Sequence, residues 1–208
     1  MPTVISKQQI SVVQRQSMAA TMGAIHESYH IIAPACETLK LDPVRLLKAI
    51  AHKESTCGTH IDRTQYKKSG RVAVSTRHEK SYSKGGRYYT NEYSDRWGKL
   101  AESSHGPFQV MYENAVRYGF PKSVDPADLL IGLANPYIAT DISCKMMSAI
   151  LSKVVAYWMI PPYFQRGALD MVADAWNSGS FKDRFRPVDY INAVKRFYSE
   201  HSDNLSHP

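Results

Sequence analysis

Asn135-Pro136 opens the longest periodic run in the chain, and that run restricts the fold more than any other feature. Ile138, Ile142, Met146, Ala149, Ile150 and Val154 recur at spacings of three and four, which is the period of one helix face. Asparagine followed by proline is the chemistry of an N-cap and a first helical position. Met146 and Met147 belong to core packing rather than to a cofactor pocket. A helix with so wide an apolar face needs other helices to cover it. Further helical patterns surround it. Residues 21–40 carry Met22, Ile25, Tyr29, Ile31 and Ile32, with a break or kink at Pro34. Residues 126–133 carry another. Residues 164–176 present Leu169, Val172, Ala173 and Trp176, and Asn177-Ser178-Gly179 stops them. A last helix is predicted over 187–200. Residues 114–118 begin a short helix that Gly119 ends.

A second cap, Asp42-Pro43, starts a helix whose apolar face runs through Val44, Leu47, Ile50 and Ala51 and arrives at Glu54. A carboxylate that closes an apolar stripe is either a surface residue with its stem on the core edge or a group in use. Burial disfavours the ionised form, and a carboxyl with a raised pKa is what a general acid near neutral pH requires. Gly58 lies where that helix should stop.

The expected fold class is therefore mainly α, as a single domain over residues 1–208. Residues 1–20 form an arm or a short docked helix. Residues 58–104 interrupt the helical pattern as a basic, Tyr-rich insertion of loops and a small β-hairpin. Lys67-Lys68, Gly85-Gly86-Arg87 and Tyr88-Tyr89 stand there, and Val72-Ala73-Val74 is its one β-like run. A loop of this length inside a domain is either functional or disordered.

The hydrophobic fraction of 43% supports a core, and the net charge of +7 favours anionic partners: nucleic acid, anionic lipid or an acidic wall polymer. Cys36, Cys57 and Cys144 are odd in number and widely separated, which argues against a disulfide framework and against a zinc site. His52, His60 and His105 have no His-Glu-x-x-His spacing, so neither a metal nor another cofactor is expected. No apolar run is long enough to span a bilayer, so stable membrane insertion is not expected. The first twenty residues do not read as a secretory signal, so synthesis in the cytoplasm is expected.

Three signatures stand in order: the helix ending Glu54-Ser55, then Ser103-Ser104-His105-Gly106-Pro107-Phe108-Gln109-Val110, then Ala175-Trp176-Asn177-Ser178-Gly179. Together they resemble the soluble lytic transglycosylase family of the lysozyme-like superfamily, to which goose-type lysozymes also belong. That family shows Glu-Ser at a helix end, then Ser-x-Gly-Leu-Met-Gln, then Ala-Tyr-Asn-Ala-Gly. Here Pro107 and Phe108 replace Leu and Met, Trp176 replaces Tyr, and the connection between the first two motifs is longer. The resemblance covers about residues 40–200 apart from the insertion. It implies a lysozyme-like helical domain that cleaves the β-1,4 bond between N-acetylmuramic acid and N-acetylglucosamine.

The resemblance makes Glu54 the general acid and then the general base. Ser55, Ser104, Gly106, Gln109, Tyr112, Trp176 and Asn177 are the candidate substrate-binding residues. Gly106 admits a close backbone approach, Gln109 and Asn177 offer amides, and Tyr112 and Trp176 offer rings. A hydrolytic, goose-type-like variant needs a second carboxylate. Asp62 is favoured for it, ahead of Glu79, Glu92, Asp95 and Glu102. The expected partner is bacterial peptidoglycan, met by a monomer acting as a phage lysin or virion-associated enzyme, with no nucleic acid. The rival class is a non-catalytic nucleic-acid-binding protein using Arg63, Lys67, Lys68, Arg71, Arg77, Lys80, Lys84 and Arg87.

Overall fold

The computed structural model describes residues 7–59, 76–79, 102–121, 132–133, 135–161, 163–182 and 187–201. Among them the protein is mainly helical, with one small antiparallel sheet. Helix α1 spans Lys7–Ser28, α2 Ala33–Thr38, α3 Pro43–Ser55, α4 Tyr112–Arg117, α5 Pro136–Tyr157, α6 Ala168–Ser178 and α7 Val188–Glu200. Short 3-10 turns occupy Tyr29–Ile31 and Tyr163–Gln165. Strands β1 Thr76–His78, β2 Ser103–His105 and β3 Val110–Met111 form the sheet in the order β1-β2-β3.

The helix starts follow the predicted chemistry. Asp42 Oδ1 accepts the Arg45 N–H at 2.8 Å and caps α3. Asn135 Oδ1 accepts the Tyr137 N–H at 2.9 Å and caps α5. Pro34 sits in the first turn of α2, where a missing N–H costs nothing, so the chain breaks just before it. Gly179 takes φ +81° and closes α6 with its N–H on Ala175 O at 2.9 Å. The expected arm or short helix at the N-terminus is, from Lys7 onward, part of α1. The expected helix over 126–133 falls outside the described residues except for Gly132 and Leu133, and Val72-Ala73-Val74 falls outside them too.

The chain divides into two compact units, Met1–Ala24 with Glu54–Ser143, and Ile25–Lys53 with Cys144–Pro208. The first contains the sheet. In it β1 pairs with β2 in the register Thr76↔His105, Arg77↔Ser104, His78↔Ser103, and β2 pairs with β3 through Ser104↔Met111 and His105↔Val110. Phe108, Val110, Tyr112, Ala115, Leu133 and Ala139 are buried there. All of β2 is buried although it reads Ser-Ser-His. A strand of polar residues carries no alternating apolar signal, and its pairing was not predicted.

In the second unit α7 packs on α6. Met171, Val172, Ala175 and Trp176 of α6 and Tyr190, Ile191 and Val194 of α7 are buried. The C-terminal end of α7 holds the α3 segment of the same unit. Tyr198 Oη accepts the Asp42 N–H at 2.7 Å, and Tyr198 O accepts Arg45 Nε and Nη2 at 3.1 and 2.9 Å. Beside them the His52 ring stacks on Phe197 with centroids 3.9 Å apart, and the His201 ring lies 5.8 Å from His52. His52 Nδ1 and His201 Nε2 are buried and make no hydrogen bond.

Burial holds the pKa of both imidazoles below the ordinary 6.5. Glu200 opposes the shift at both rings. Arg196 adds to it at His52, and His52, Lys48 and Arg45 add to it at His201. A histidine with a lowered folded pKa binds more protons when unfolded. The stability it lends is complete above 6.5 and falls as pH drops through 6.5 toward the folded value. We expect the thermal midpoint to fall between pH 7 and pH 5, and His52→Phe, which keeps the stack on Phe197, to flatten that dependence. An unchanged slope in His52→Phe assigns the acid sensitivity elsewhere.

Candidate functional site

The carboxyl-terminal end of α3 is held under backbone strain. Thr56, Cys57 and Gly58 follow Ser55 with φ of +52°, +56° and +82°. For residues other than glycine this region costs about 1–2 kcal/mol each, and a β-branched residue there is an outlier. Such strain persists only where the surroundings over-determine it, and it concentrates at functional sites. Here the surroundings are specific. Ser55 Oγ accepts the Gly58 N–H at 2.6 Å and donates to Pro107 O at 2.7 Å. Ser17 Oγ of α1 donates to Gly58 O at 2.7 Å. A Cβ on Gly58 would lie 2.9 Å from Thr21 Oγ1 and 3.0 Å from Ser17 Oγ, so α1 is seated against a position only glycine fills without strain.

Pro107 belongs to the tight turn between β2 and β3. Gly106 has φ +75° and Gln109 φ +51°. Gly106 O receives two bonds from Gln109, from the backbone N–H at 3.1 Å and from Nε2 at 2.9 Å. That pair offsets the left-handed backbone of a glutamine. The amide oxygen faces Ser104, whose Oγ lies 2.9 Å from Gln109 Oε1 and 2.9 Å from Glu79 Oε1. A hydroxyl has one hydrogen, so Ser104 serves the amide or the carboxylate at any one time. Glu79 is placed by its backbone: its N–H bonds to Glu102 O at 2.8 Å, which extends the β1–β2 ladder by one step. Glu79 stands two residues beyond the Arg77↔Ser104 backbone pair.

The first two sequence motifs thus meet. Glu54 is half-buried at the end of α3, and the next residue, Ser55, stitches that end to the turn that carries Gln109. Ser55 is buried with its hydroxyl used inside the protein as both donor and acceptor. Ser104 and Gln109 are buried in one network. The close approach at Gly106 is made to the chain itself: a Cβ would meet Leu133 O at 2.6 Å and the Ala139 Cβ at 2.9 Å.

Tyr112 corrects the expectation of a sugar-stacking ring. It is fully buried, packed in the core because it opens α4 directly after the buried strand β3. Asp62, the favoured second carboxylate, lies outside the described residues, as do Glu92 and Asp95. Glu79, ranked below it, is the carboxylate that contacts Ser104. Nothing local in the sequence marks Glu79, because its position depends on pairing with a strand about 25 residues away.

The third motif lies in the second unit at the end of α6. Trp176 is buried and Asn177 exposed. The turn after them is clamped. Arg166 Nη2 pairs with Asp174 Oδ2 at 2.6 Å, both nearly sealed from water, and Arg166 Nη1 donates to Phe181 O. Ser178 Oγ bonds to Asp174 O at 2.8 Å and lies 2.6 Å from Ser180 O. Removing one member of such a buried pair strands the other charge, so the clamp fixes the backbone on which Asn177 is presented.

Among the described residues no three His, Cys, Asp or Glu side chains are grouped so as to hold a metal ion. Compared with protein-family models, curated proteins and solved structures, the chain matches none.

Proposed function

We propose that the chain is a peptidoglycan-cleaving enzyme with a lysozyme-like helical fold, acting as a lytic transglycosylase through Glu54. The observation that carries this reading is the Ser55–Pro107 hydrogen bond, which ties the end of the acid-bearing helix to the Ser-His-Gly-Pro-Phe-Gln turn. Strained backbone on both sides of that bond, at Thr56, Cys57 and Gln109, supports it further.

In the proposed reaction Glu54 gives its proton to the glycosidic oxygen, and an oxocarbenium-like species forms on the muramic sugar. The ionised carboxylate then takes the proton of the sugar's own 6-hydroxyl. That oxygen bonds to the anomeric carbon, and a 1,6-anhydro ring closes. Glu54 ends protonated, ready for another cycle. Gln109 and Ser104 brace the turn that Ser55 ties to the end of the acid-bearing helix. The wall is the proposed partner, reached as a phage lysin or virion-associated enzyme, and the net charge of +7 favours that anionic polymer.

One observation favours hydrolysis of the same bond as a second reading. Glu79 touches the same turn through Ser104, which makes it a candidate to direct a water. Mass spectrometry of muropeptides released from purified walls separates the two. We expect anhydro-terminated products, and expect Glu79→Gln to change their yield by less than about threefold, since Gln retains an acceptor for Ser104. Reducing-end products that vanish in Glu79→Gln establish the hydrolytic reading instead. Release of neither product by the native chain overturns both.

A further inference from the structure

Residues 157–164 read Tyr-Trp-Met-Ile-Pro-Pro-Tyr-Phe, an apolar and aromatic segment between α5 and α6, and neither strand pairing nor the proposed wall chemistry uses it. It lies wholly in the second unit. Hydrogen bonds tie its described residues: Ile160 N–H bonds to Tyr157 O at 2.9 Å, Tyr163 N–H to Ile160 O at 2.7 Å, and Arg166 N–H to Tyr163 O at 2.8 Å. Its base is rigid. The rings of Tyr157, Tyr163 and Phe181 pack edge to face with centroids 5.8 to 5.9 Å apart. On this base Met159 is 69% and Ile160 47% exposed, with Pro161 exposed beside them. Single exposed apolar residues are ordinary, but two large ones held side by side on a stiffened turn keep an apolar surface in water.

The stretch of sequence that carries this tip is basic. Between Asp141 and Asp170 the sequence has no acidic residue, while Lys145, Lys153 and Arg166 fall there. Lys153 is exposed one helical turn before Tyr157. Lys182 is exposed, and its Nζ sits 3.6 Å from the centroid of the Tyr157 ring. The acids of α6 are already engaged: Asp170 pairs with Lys195 at 3.1 Å and Asp174 with Arg166. An apolar tip with aromatic shoulders and flanking lysines is complementary to a surface that is apolar below and anionic above. That describes the headgroup region of a bilayer containing acidic phospholipid. No described helix is long and apolar enough to cross a membrane, so the contact is interfacial.

We propose that the 158–161 tip is a reversible anchor for anionic lipid surfaces. Met159 and Ile160 enter the acyl boundary while Lys153 and Lys182 face the phosphates. The proposal stands on the second unit alone, and its failure leaves the wall-cleaving reading untouched. The test is sedimentation of the full chain with vesicles of equimolar phosphatidylglycerol and phosphatidylcholine, against pure phosphatidylcholine, at low and at moderate salt.

The expected result is binding to the anionic vesicles that weakens with salt. Met159→Ser combined with Ile160→Ser loses about tenfold or more in partitioning, because each buried methylene contributes to interfacial affinity. The same variant keeps the thermal midpoint of the native chain. Failure of the native chain to bind anionic vesicles overturns the proposal. So does equal binding by the double variant, which leaves charge alone as the cause. Loss of binding by that variant to lipid-free purified walls, with vesicle binding intact, assigns the tip to the wall instead.

Discussion

Glu54→Gln is expected to lower the rate of wall clearing by about a thousandfold, within the range that a general acid supplies. The substitution keeps the shape of the side chain and an oxygen able to accept hydrogen bonds. In the proposed reaction it removes the proton that departs with the leaving group and the base that takes a proton back. A thousandfold corresponds to about 4 kcal/mol of transition-state stabilisation. The fold should survive. Glu54 is half-buried at a helix end, and the stitch to the turn is made by Ser55, which is unchanged. The comparison is therefore between two folded proteins of similar thermal midpoint, assayed on the same purified walls by turbidity. Glu54→Asp, which restores a carboxyl on a shorter stem, is expected to recover part of the activity. Clearing by Glu54→Gln at the native rate removes Glu54 from the chemistry and takes the proposed reaction with it.

The helices were legible because their start signals are local. Asp42-Pro43 and Asn135-Pro136 each predict a cap and a first turn, and in both cases the acid or amide oxygen accepts the expected backbone N–H. Pro34 was legible as a break for the same reason: proline is admitted in a first turn and excluded from an interior. What escaped prediction depends on partners far away in sequence. Ser103-Ser104-His105 has no apolar alternation, and it forms a buried strand because β1 and β3 satisfy its backbone and Glu79 and Gln109 meet Ser104. Thr56 and Cys57 are not residues that favour a left-handed backbone. Their conformation is imposed by Ser55 reaching Pro107, across a gap of about 50 residues. Tyr112 was expected to offer a ring to the sugar, yet directly after strand β3 it is fully buried. The first two motifs meet through Ser55 and Pro107, and that Ser55, Ser104 and Gln109 brace the turn could not be read from the sequence.

Gly106→Ala is the sharpest test of that distinction, because Gly106 pays two separate costs on substitution. Its φ of +75° is left-handed, which by itself costs an alanine about 1–2 kcal/mol. Its Cβ would also stand 2.6 Å from the Leu133 carbonyl oxygen and 2.9 Å from the Ala139 Cβ. A backbone oxygen cannot rotate aside as a long side chain does, so the β2–β3 turn or the chain leading into α5 must move, and overpacking of this kind adds about 1–3 kcal/mol. The expected total is about 2–5 kcal/mol in urea unfolding. Gly179→Ala supplies the internal reference. Gly179 has φ +81°, nearly the same backbone, but nothing lies within 4 Å of the position its Cβ would take. Its loss should stop at about 1–2 kcal/mol. The difference between the two variants isolates the contact with Leu133 and Ala139 from the backbone preference. Equal losses deny that the turn is wedged there. A larger loss at Gly106 establishes that the glycine of this motif is demanded by the protein's own packing. In that case the same displacement loosens Pro107 from Ser55, so wall clearing at a temperature where Gly106→Ala remains folded should fall as well, with no group of the proposed chemistry removed.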